Sequence, residues 1–279
     1  RGIYTVHYQL EPMAFNPEIC KSSSIRSADE IWDYSPTNIP LIYKQCPPKS
    51  GAPIRLVPAG FQYHTYRTSQ KQIHETSKVY FLGALRFGSR RDCWSSLRSS
   101  SPSPRIREML ETKYDIWEVN DFQTLLRSND TSGIFLNLHK GCAHPKLQAI
   151  EPRIAHLLSA NGLVISQTCV DIEEDAYRGL VTFLPLDQMG HYIEGLLKLS
   201  VSDRQALANR RFRTFQKRFH PAKIFQYSGL SDLFRVPIDR EINYTDPPPS
   251  LNLPLPPKLK AKLARKISES SKSHSSSEL

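Results

Sequence analysis

The chain has 279 residues, of which 39% are hydrophobic and 23% charged, a composition that excludes a wholly disordered or fibrous protein. Its net charge of +10 and pI near 9.4 favour an anionic partner: nucleic acid, an anionic membrane surface or a phosphate-bearing ligand. No apolar run approaches the roughly 18 residues that a membrane span requires, so no transmembrane segment is predicted.

Five cysteines lie far apart along the chain and form no C-x-x-C pair: Cys20, Cys46, Cys93, Cys142 and Cys169. An odd count at such spacing indicates neither a disulfide framework nor a zinc finger. We therefore expect free thiols and a cytoplasmic protein, with a secretory lumen as the alternative. The sequence opens at Arg1 and moves at once into strand-like residues, which we interpret as the start of a fragment.

The first 62 residues predict short strands separated by turns. Residues 3–10, "IYTVHYQL", and residues 52–61, "APIRLVPAGF", are rich in β-branched and aromatic side chains and predict strands. Between them, Ser27 followed by Glu30 forms a capping-box pattern, which predicts that a short helix begins at Ser27. Pro36 would end that helix.

From residue 78 onward, predicted strands and helices alternate. The strands cover residues 78–85, 114–119, 132–139, 162–169 and 180–185, and the helices cover 93–98, 105–113, 121–129, 186–200 and 202–219. The strands are continuous apolar runs, as expected when both faces are buried. Strands separated by helices of this length predict an α/β fold, a Rossmann-like parallel sheet with helices on both faces. After residue 244 the chain is Pro-, Lys- and Ser-rich and predicts a disordered tail.

Ligands of such sheets bind at the carboxyl ends of the strands, which makes the loop after residues 78–85 a candidate. It contains Gly83 and Gly88, which allow close backbone approach, and Arg86, Arg90 and Arg91 next to a predicted helix start. Arginines and a helix N-terminus both favour a diphosphate. The alternative is a surface loop whose arginines are solvated.

A second candidate loop lies in "FLNLHKGCAHPKLQAIEPRI", residues 135–154. His139, Cys142 and His144 lack the fourth ligand of a structural zinc site, so no metal site is predicted. Glu151 precedes Pro152, which either begins a helix or kinks a continuous one. In both cases Glu151 can accept hydrogen bonds from sugar or ribose hydroxyls; the alternative is a carboxylate that complements the helix dipole.

Two further stretches carry charge. The acidic residues 171–175 follow the strand at 162–169 and could hold a divalent cation, although a solvated helix start is our interpretation. Residues 210–219 interleave arginines with aromatics, as in nucleic-acid contacts. At helical spacing Phe212, Phe215 and Phe219 share one face, so we predict an amphipathic helix that packs across the domain.

Motifs spread in order along the chain resemble one family, the GT-B glycosyltransferases, and most closely its CgeB-like and glycosyl-transferases-group-one members. The resemblance covers about residues 3–220. It rests on "YQLEP", "IWDYSPTNI" and "FLGALRFGSRRD", followed by Asn137 with His139, Glu151 with Arg153 and Ile154, Asn161 with Gly162, residues 164–166, Asp175 with Tyr177, and residues 181–183.

The resemblance implies the C-terminal half of a GT-B fold that transfers a sugar, as a hexosyltransferase would, from a nucleotide sugar without metal or cofactor. The acceptor would be a glycan, a protein or a small molecule. Residues 1–62 would be a remnant of the acceptor-side domain with a linker, 63–228 the nucleotide-sugar-binding domain and 229–279 the tail. The implied donor-binding residues are Gly83, Arg86, Arg90, Arg91, Asn137, His139 and Glu151.

The resemblance assigns no catalytic base; Glu11 and His139 are the candidates. A second hypothesis is a non-catalytic module, either a degenerate transferase or a basic protein that binds anions or nucleic acid. Nucleic acid is not the expected partner, because the basic helix is read first as amphipathic.

Overall fold

The computed structural model describes residues 4–15, 17–48, 51–68, 72–73, 79–85, 89–113, 133–142, 144, 150 and 152–230. Several predictions fall outside these residues: the strand at 114–119, the helix at 121–129, the tail beyond 230, and the positions of Arg86, Gly88 and Glu151. The described chain forms two units, each built on a parallel sheet.

The first unit is a three-stranded parallel sheet. Its strands are β1 (Val6–Gln9), β2 (Glu30–Asp33) and β3 (Ile54–Leu56), in that spatial order. Helices α1 (Ser23–Ser27) and α2 (Asn38–Gln45) and two 3-10 turns (Met13–Phe15 and Pro17–Lys21) make the connections. Met13, Ile25, Ile31 and Ile42 form the core on one face of this sheet.

The predicted capping box in this unit is wrong. Ser27 is the last residue of α1, and Glu30 opens β2 instead of entering a helix. The Glu30 carboxylate is buried and accepts hydrogen bonds from Tyr4 Oη, Trp32 Nε1 and Arg55 Nε, which come from all three strand segments. Tertiary partners of a buried carboxylate therefore override the local capping pattern, because leaving it unpaired would cost more than a cap contributes.

The second unit is a five-stranded parallel sheet in the spatial order β5-β4-β6-β7-β8. Its strands are β4 (Val79–Leu82), β5 (Leu110–Lys113), β6 (Ile134–Asn137), β7 (Leu163–Gln167) and β8 (Thr182–Leu184). Its helices are α3 (Tyr63–Thr68), α4 (Arg90–Ser100), α5 (Pro104–Met109), α6 (Arg153–Ser159), α7 (Asp171–Ala176), α8 (Leu186–Lys198), α9 (Val201–Arg218) and α10 (Pro221–Tyr227).

Strands β4, β6 and β7 bury both faces, as their apolar runs predicted, whereas β8 is only partly buried. Val79 and Phe81 of β4 contribute to a core under α4, α5 and α8, while Tyr80 and Leu82 contribute to a core under α6 and α9. The predicted α/β fold, a Rossmann-like parallel sheet with helices on both faces, is confirmed. One boundary is wrong: the helix predicted over 105–113 ends at Met109, and its last four residues form β5.

The chain passes between the two units twice, and the two passages pack against each other. The segment after β3 runs through Gly60 and Phe61 into α3, and the segment after α9 returns through α10 to the edge of β3. Phe61 N donates to Phe219 O at 2.9 Å, and Ser228 Oγ donates to Leu56 O. A Cβ on Gly60 would lie 2.6 Å from Ile224 Cδ1 and 3.1 Å from Phe219 O, so a larger residue would force the Ile224 side chain to shift and crowd the Phe219 backbone.

Four of the five cysteines form disulfides, which corrects the prediction of free thiols. Cys20 and Cys46 are joined inside the first unit, with Cα atoms 4.9 Å apart. Cys93 of α4 is joined to Cys142 beyond β6, with Cα atoms 6.4 Å apart. Cys169 is buried and forms no disulfide. The partners are 26 and 49 residues apart in sequence, so folding alone brings them together and their spacing carries no signal.

Candidate functional site

The strand order of the second sheet reverses between β4 and β6. The chain leaves β4 towards β5 on one side, whereas β6 lies on the other side of β4. At such a point the loops that follow neighbouring strands diverge, and a crevice opens at the carboxyl ends. Gly83 lies directly after β4 at this crevice, and a Cβ on it would lie 2.5 Å from Arg153 Nη1. The absence of a side chain at Gly83 therefore leaves room for the arginine.

Arg153, the first residue of α6, ties the ends of β4 and β6 together. Its Nε donates to Asn137 Oδ1 at 2.9 Å, its Nη1 to Leu82 O at 3.2 Å and its Nη2 to Leu138 O at 3.0 Å. Its guanidinium carbon lies 5.2 Å from the ring centroid of Phe81. The sequence placed Arg153 in the resemblance only as part of a motif, so its contacts at the crevice were missed.

Arg90 reaches the same place from the opposite face of the sheet. It is buried in the first turn of α4, its Nε donates to Leu138 O at 3.2 Å, and its guanidinium carbon lies 5.9 Å from the ring centroid of Phe81. The guanidinium groups of Arg90 and Arg153 thus both donate to Leu138 O and both lie over the ring of Phe81. Arg91, its neighbour in sequence, is exposed. The predicted Arg90–Arg91 pair is therefore divided between crevice and surface.

Asn137 and His139, both predicted to bind the donor, lie fully buried at the end of β6. Asn137 Nδ2 donates to Ser166 Oγ at 2.9 Å, and His139 Nε2 lies 3.1 Å from Gln167 O. These bonds fasten β6 to β7 beneath the crevice. Glu11, the other catalytic candidate, lies exposed just after β1, where its carbonyl oxygen accepts hydrogen bonds from the side chains of Gln9 and Asn38.

A cavity of about 420 Å³ opens beside these residues, between the start of α4 and the ends of β7 and β8. The Cys93–Cys142 disulfide forms one wall. Gln167 Nε2 donates to Cys142 O at 2.6 Å, while Gln167 Oε1 is buried and accepts no hydrogen bond from the described residues. Among the lining residues that the structure describes, Asp92 supplies the one charge; the set is Ser89, Asp92, Cys93, Ser96, Cys142, Gln167, Thr168, Pro185 and Leu186.

The acidic stretch at 171–175 opens α7, and Asp171 and Asp175 are exposed as predicted, but Glu173 is not solvated. Glu173 is buried; its Oε1 accepts from Ser35 Oγ and Thr37 Oγ1, and its Oε2 accepts from Ile150 N. Burial raises the pKa of Glu173 to about 7. Glu174 accepts a hydrogen bond from Cys169 N at 2.8 Å. Within the part of the chain that the structure describes, no three His, Cys, Asp or Glu side chains are grouped to hold a metal ion.

The basic helix α9 is amphipathic, as predicted. Phe215 and Phe219 are buried in the core, whereas Arg210, Arg213 and Lys217 are exposed. The aromatic residues therefore serve packing and are not presented for stacking with bases. Among the described helices, none is long and apolar enough to cross a membrane.

No protein-family model matches the chain, and a sequence search of curated proteins found no match. Among solved structures, sucrose-phosphate synthase from Thermosynechococcus elongatus is similar, with a TM-score of 0.53 and 11% sequence identity. The similarity covers 84% of this chain and 68% of the synthase chain. At this identity the similarity shows a shared fold alone, of the class that the resemblance implied. Kinship with the CgeB-like group stays a prediction.

Proposed function

We propose that the chain transfers a sugar from a nucleotide-activated donor to an acceptor hydroxyl. The observation that carries this proposal is the meeting of Arg90 and Arg153 at the carboxyl ends of β4 and β6, where the strand order reverses. Parallel sheets bind ligands at such points, and paired guanidinium groups match the geometry of a diphosphate. The fold shared with sucrose-phosphate synthase supports the same reading.

In the proposed reaction the acceptor oxygen bonds to the anomeric carbon of the donor as the bond from that carbon to the diphosphate oxygen breaks. The leaving diphosphate gains negative charge, which Arg90 and Arg153 would stabilise without a metal ion. The acceptor proton passes to a base; of the two candidates, Glu11 is exposed beyond β1, whereas His139 is fully buried. The hydroxyl and amide groups of the adjacent cavity suit an uncharged sugar or nucleoside portion of the donor.

We further propose that residues 1–62 form the acceptor side of the cleft. Asp33 ends β2, and Ser35 and Thr37 just beyond it contact Glu173 of the second unit, so the carboxyl edge of the first sheet adjoins the second unit. An acceptor in the cleft between the units would then lie next to the crevice of the second sheet.

A panel of UDP-, GDP- and TDP-sugars tests the donor. We expect at least one to raise the melting temperature and to be hydrolysed slowly, and Arg90→Gln to remove both effects. Arg91→Gln is the matched control, because Arg91 is the exposed neighbour on the same helix turn. RNA or DNA binding with a steep salt dependence, and no response to any nucleotide sugar, would support the basic binding module instead.

We also propose an oxidising compartment in place of the predicted cytoplasmic one. Two disulfides support this proposal, because reducing compartments keep most thiols free. The check is to denature cells directly in excess maleimide without a reductant, so that buried thiols also react, and to count the labelled cysteines. We expect one labelled residue, Cys169, whereas labelling of all five would contradict the proposal.

A further inference from the structure

Glu173 joins three chain segments that come from both units. Ser35 and Thr37 belong to the turn after β2 in the first unit, and both hydroxyls donate to Glu173 Oε1. Ile150 lies three residues ahead of Arg153, and its backbone N–H donates to Glu173 Oε2. Glu173 itself is 1% exposed. One buried carboxylate thus connects Ile150, which lies just ahead of α6, to the turn after β2 in the first unit.

The three donors are not equivalent. A backbone N–H can only donate, so Oε2 must remain unprotonated to keep Ile150. A hydroxyl can turn and accept, so a proton on Glu173 would reside on Oε1, facing Ser35 and Thr37. The ionised carboxylate accepts from all three groups, and hydrogen bonds to a charged acceptor are the stronger kind. Burial nevertheless raises the pKa of Glu173, so the folded contact favours the protonated acid and its hold on Ile150 weakens as Glu173 ionises.

Other titratable groups face this carboxylate from each neighbouring element. Asp33, at the end of β2, is buried and hydrogen-bonded to Ser35 N and Asn38 Nδ2, and burial followed by the charge of Glu173 raises the pKa of Asp33. Tyr177 follows α7, and its pKa is raised by burial, then by Glu173 and then by Tyr8 of β1. No arginine or lysine is among the described hydrogen-bond partners of Glu173.

We propose that Glu173 is a positioning residue: by holding Ile150 against the Ser35–Thr37 turn, it fixes the start of α6 and with it the crevice arginine Arg153. The link to donor binding rests on the proposed function. Glu173 acts through these contacts and not by touching the donor, because its carboxylate is buried and occupied on both oxygens.

Site-resolved hydrogen exchange of the Ile150 amide tests how strongly Glu173 holds it. Glu173→Gln mimics the protonated acid, because its oxygen can accept from Ile150 while its NH₂ faces the two hydroxyl oxygens. We expect the wild-type protection factor to match that of the Gln variant near pH 5.5 and to fall several-fold below it near pH 8.5, because the opened state solvates the ionised carboxylate better than the buried contact does. Glu173→Ala should lose protection at both pH values. Glu174→Gln, in the same helix turn, is the control and should leave Ile150 unchanged.

Binding of UDP-glucose is the second measurement, since its diphosphate does not titrate in this range. We expect the affinity of the wild type relative to Glu173→Gln to fall as pH rises, in parallel with the protection of Ile150. Equal exchange in wild type and Glu173→Ala, or equal UDP-glucose affinity in all variants, overturns the positioning role. If Ile150 responds as expected but no variant binds any nucleotide sugar, the proposed function fails while the role of Glu173 in holding α6 stands.

Discussion

Replacing Arg153 with alanine should lower the free energy of unfolding by about 3–5 kcal/mol and abolish binding of a nucleotide sugar. The guanidinium group bonds three acceptors, Asn137 Oδ1, Leu82 O and Leu138 O, and all three would lose a charged donor at once. Each loss costs on the order of 1–2 kcal/mol when the acceptor stays out of water. Urea unfolding measures the stability, and titration with the nucleotide sugar that stabilises the wild type measures binding.

Arg153→Lys separates charge from geometry. An ammonium group keeps the positive charge but cannot reach three acceptors held in the planar fork of a guanidinium, so we expect an intermediate loss of stability and weak binding. Arg91→Ala should change neither quantity, because Arg91 is exposed. An Arg153→Ala protein as stable as the wild type would show that water replaces the arginine at all three acceptors, and the proposed donor site would lose its main support.

The second large effect concerns the Cys93–Cys142 disulfide. The double variant Cys93→Ser, Cys142→Ser should lose about 4 kcal/mol of stability, because the bond closes a loop with a sequence separation of 49 residues. It should also weaken nucleotide-sugar binding, since the bond walls the cavity beside the crevice and fixes α4, which carries Arg90, to the loop beyond β6.

The other disulfide supplies the control for this result. Cys20→Ser, Cys46→Ser should cost a similar amount, about 3–4 kcal/mol, but leave nucleotide-sugar affinity unchanged, because the Cys20–Cys46 bond lies within the core of the first unit. Unfolding curves and binding titrations on both double variants give the comparison. Equal loss of affinity in the two would mean that the cavity wall has no specific part in binding.

The strands of the second sheet could be predicted because their sequences match their environment. Residues such as Phe81, Phe135 and Ile165 are buried on two-sided strands, so apolar runs without alternation are what the fold requires. Predictions failed where a tertiary partner outweighed the local pattern. Glu30 was predicted to cap a helix but bonds Arg55 in a buried network. Leu110 was predicted to be helical but pairs with Val79 in the sheet.

The candidate site was predictable only in part, for a similar reason. Gly83, Arg90 and Asn137 lie at strand ends, where the rule for parallel sheets directs attention, and the structure brings them together. Arg153 donates a hydrogen bond to Leu82, 71 residues away in sequence. Glu173 accepts one from Ser35, 138 residues away. Contacts at such separations leave no trace in the spacing of a single sequence.

The paired passages between the units constrain how the cleft can move. The segment at Gly60 and Phe61 and the returning segment at Phe219 and Ile224 are bonded and packed side by side, so they bend together as one hinge. Two linkers placed far apart would resist rotation of one unit against the other. Two linkers bonded to each other allow that rotation about a single axis. Any rotation of the two units would therefore turn about this one axis, and the Ser35–Glu173 contact would oppose it.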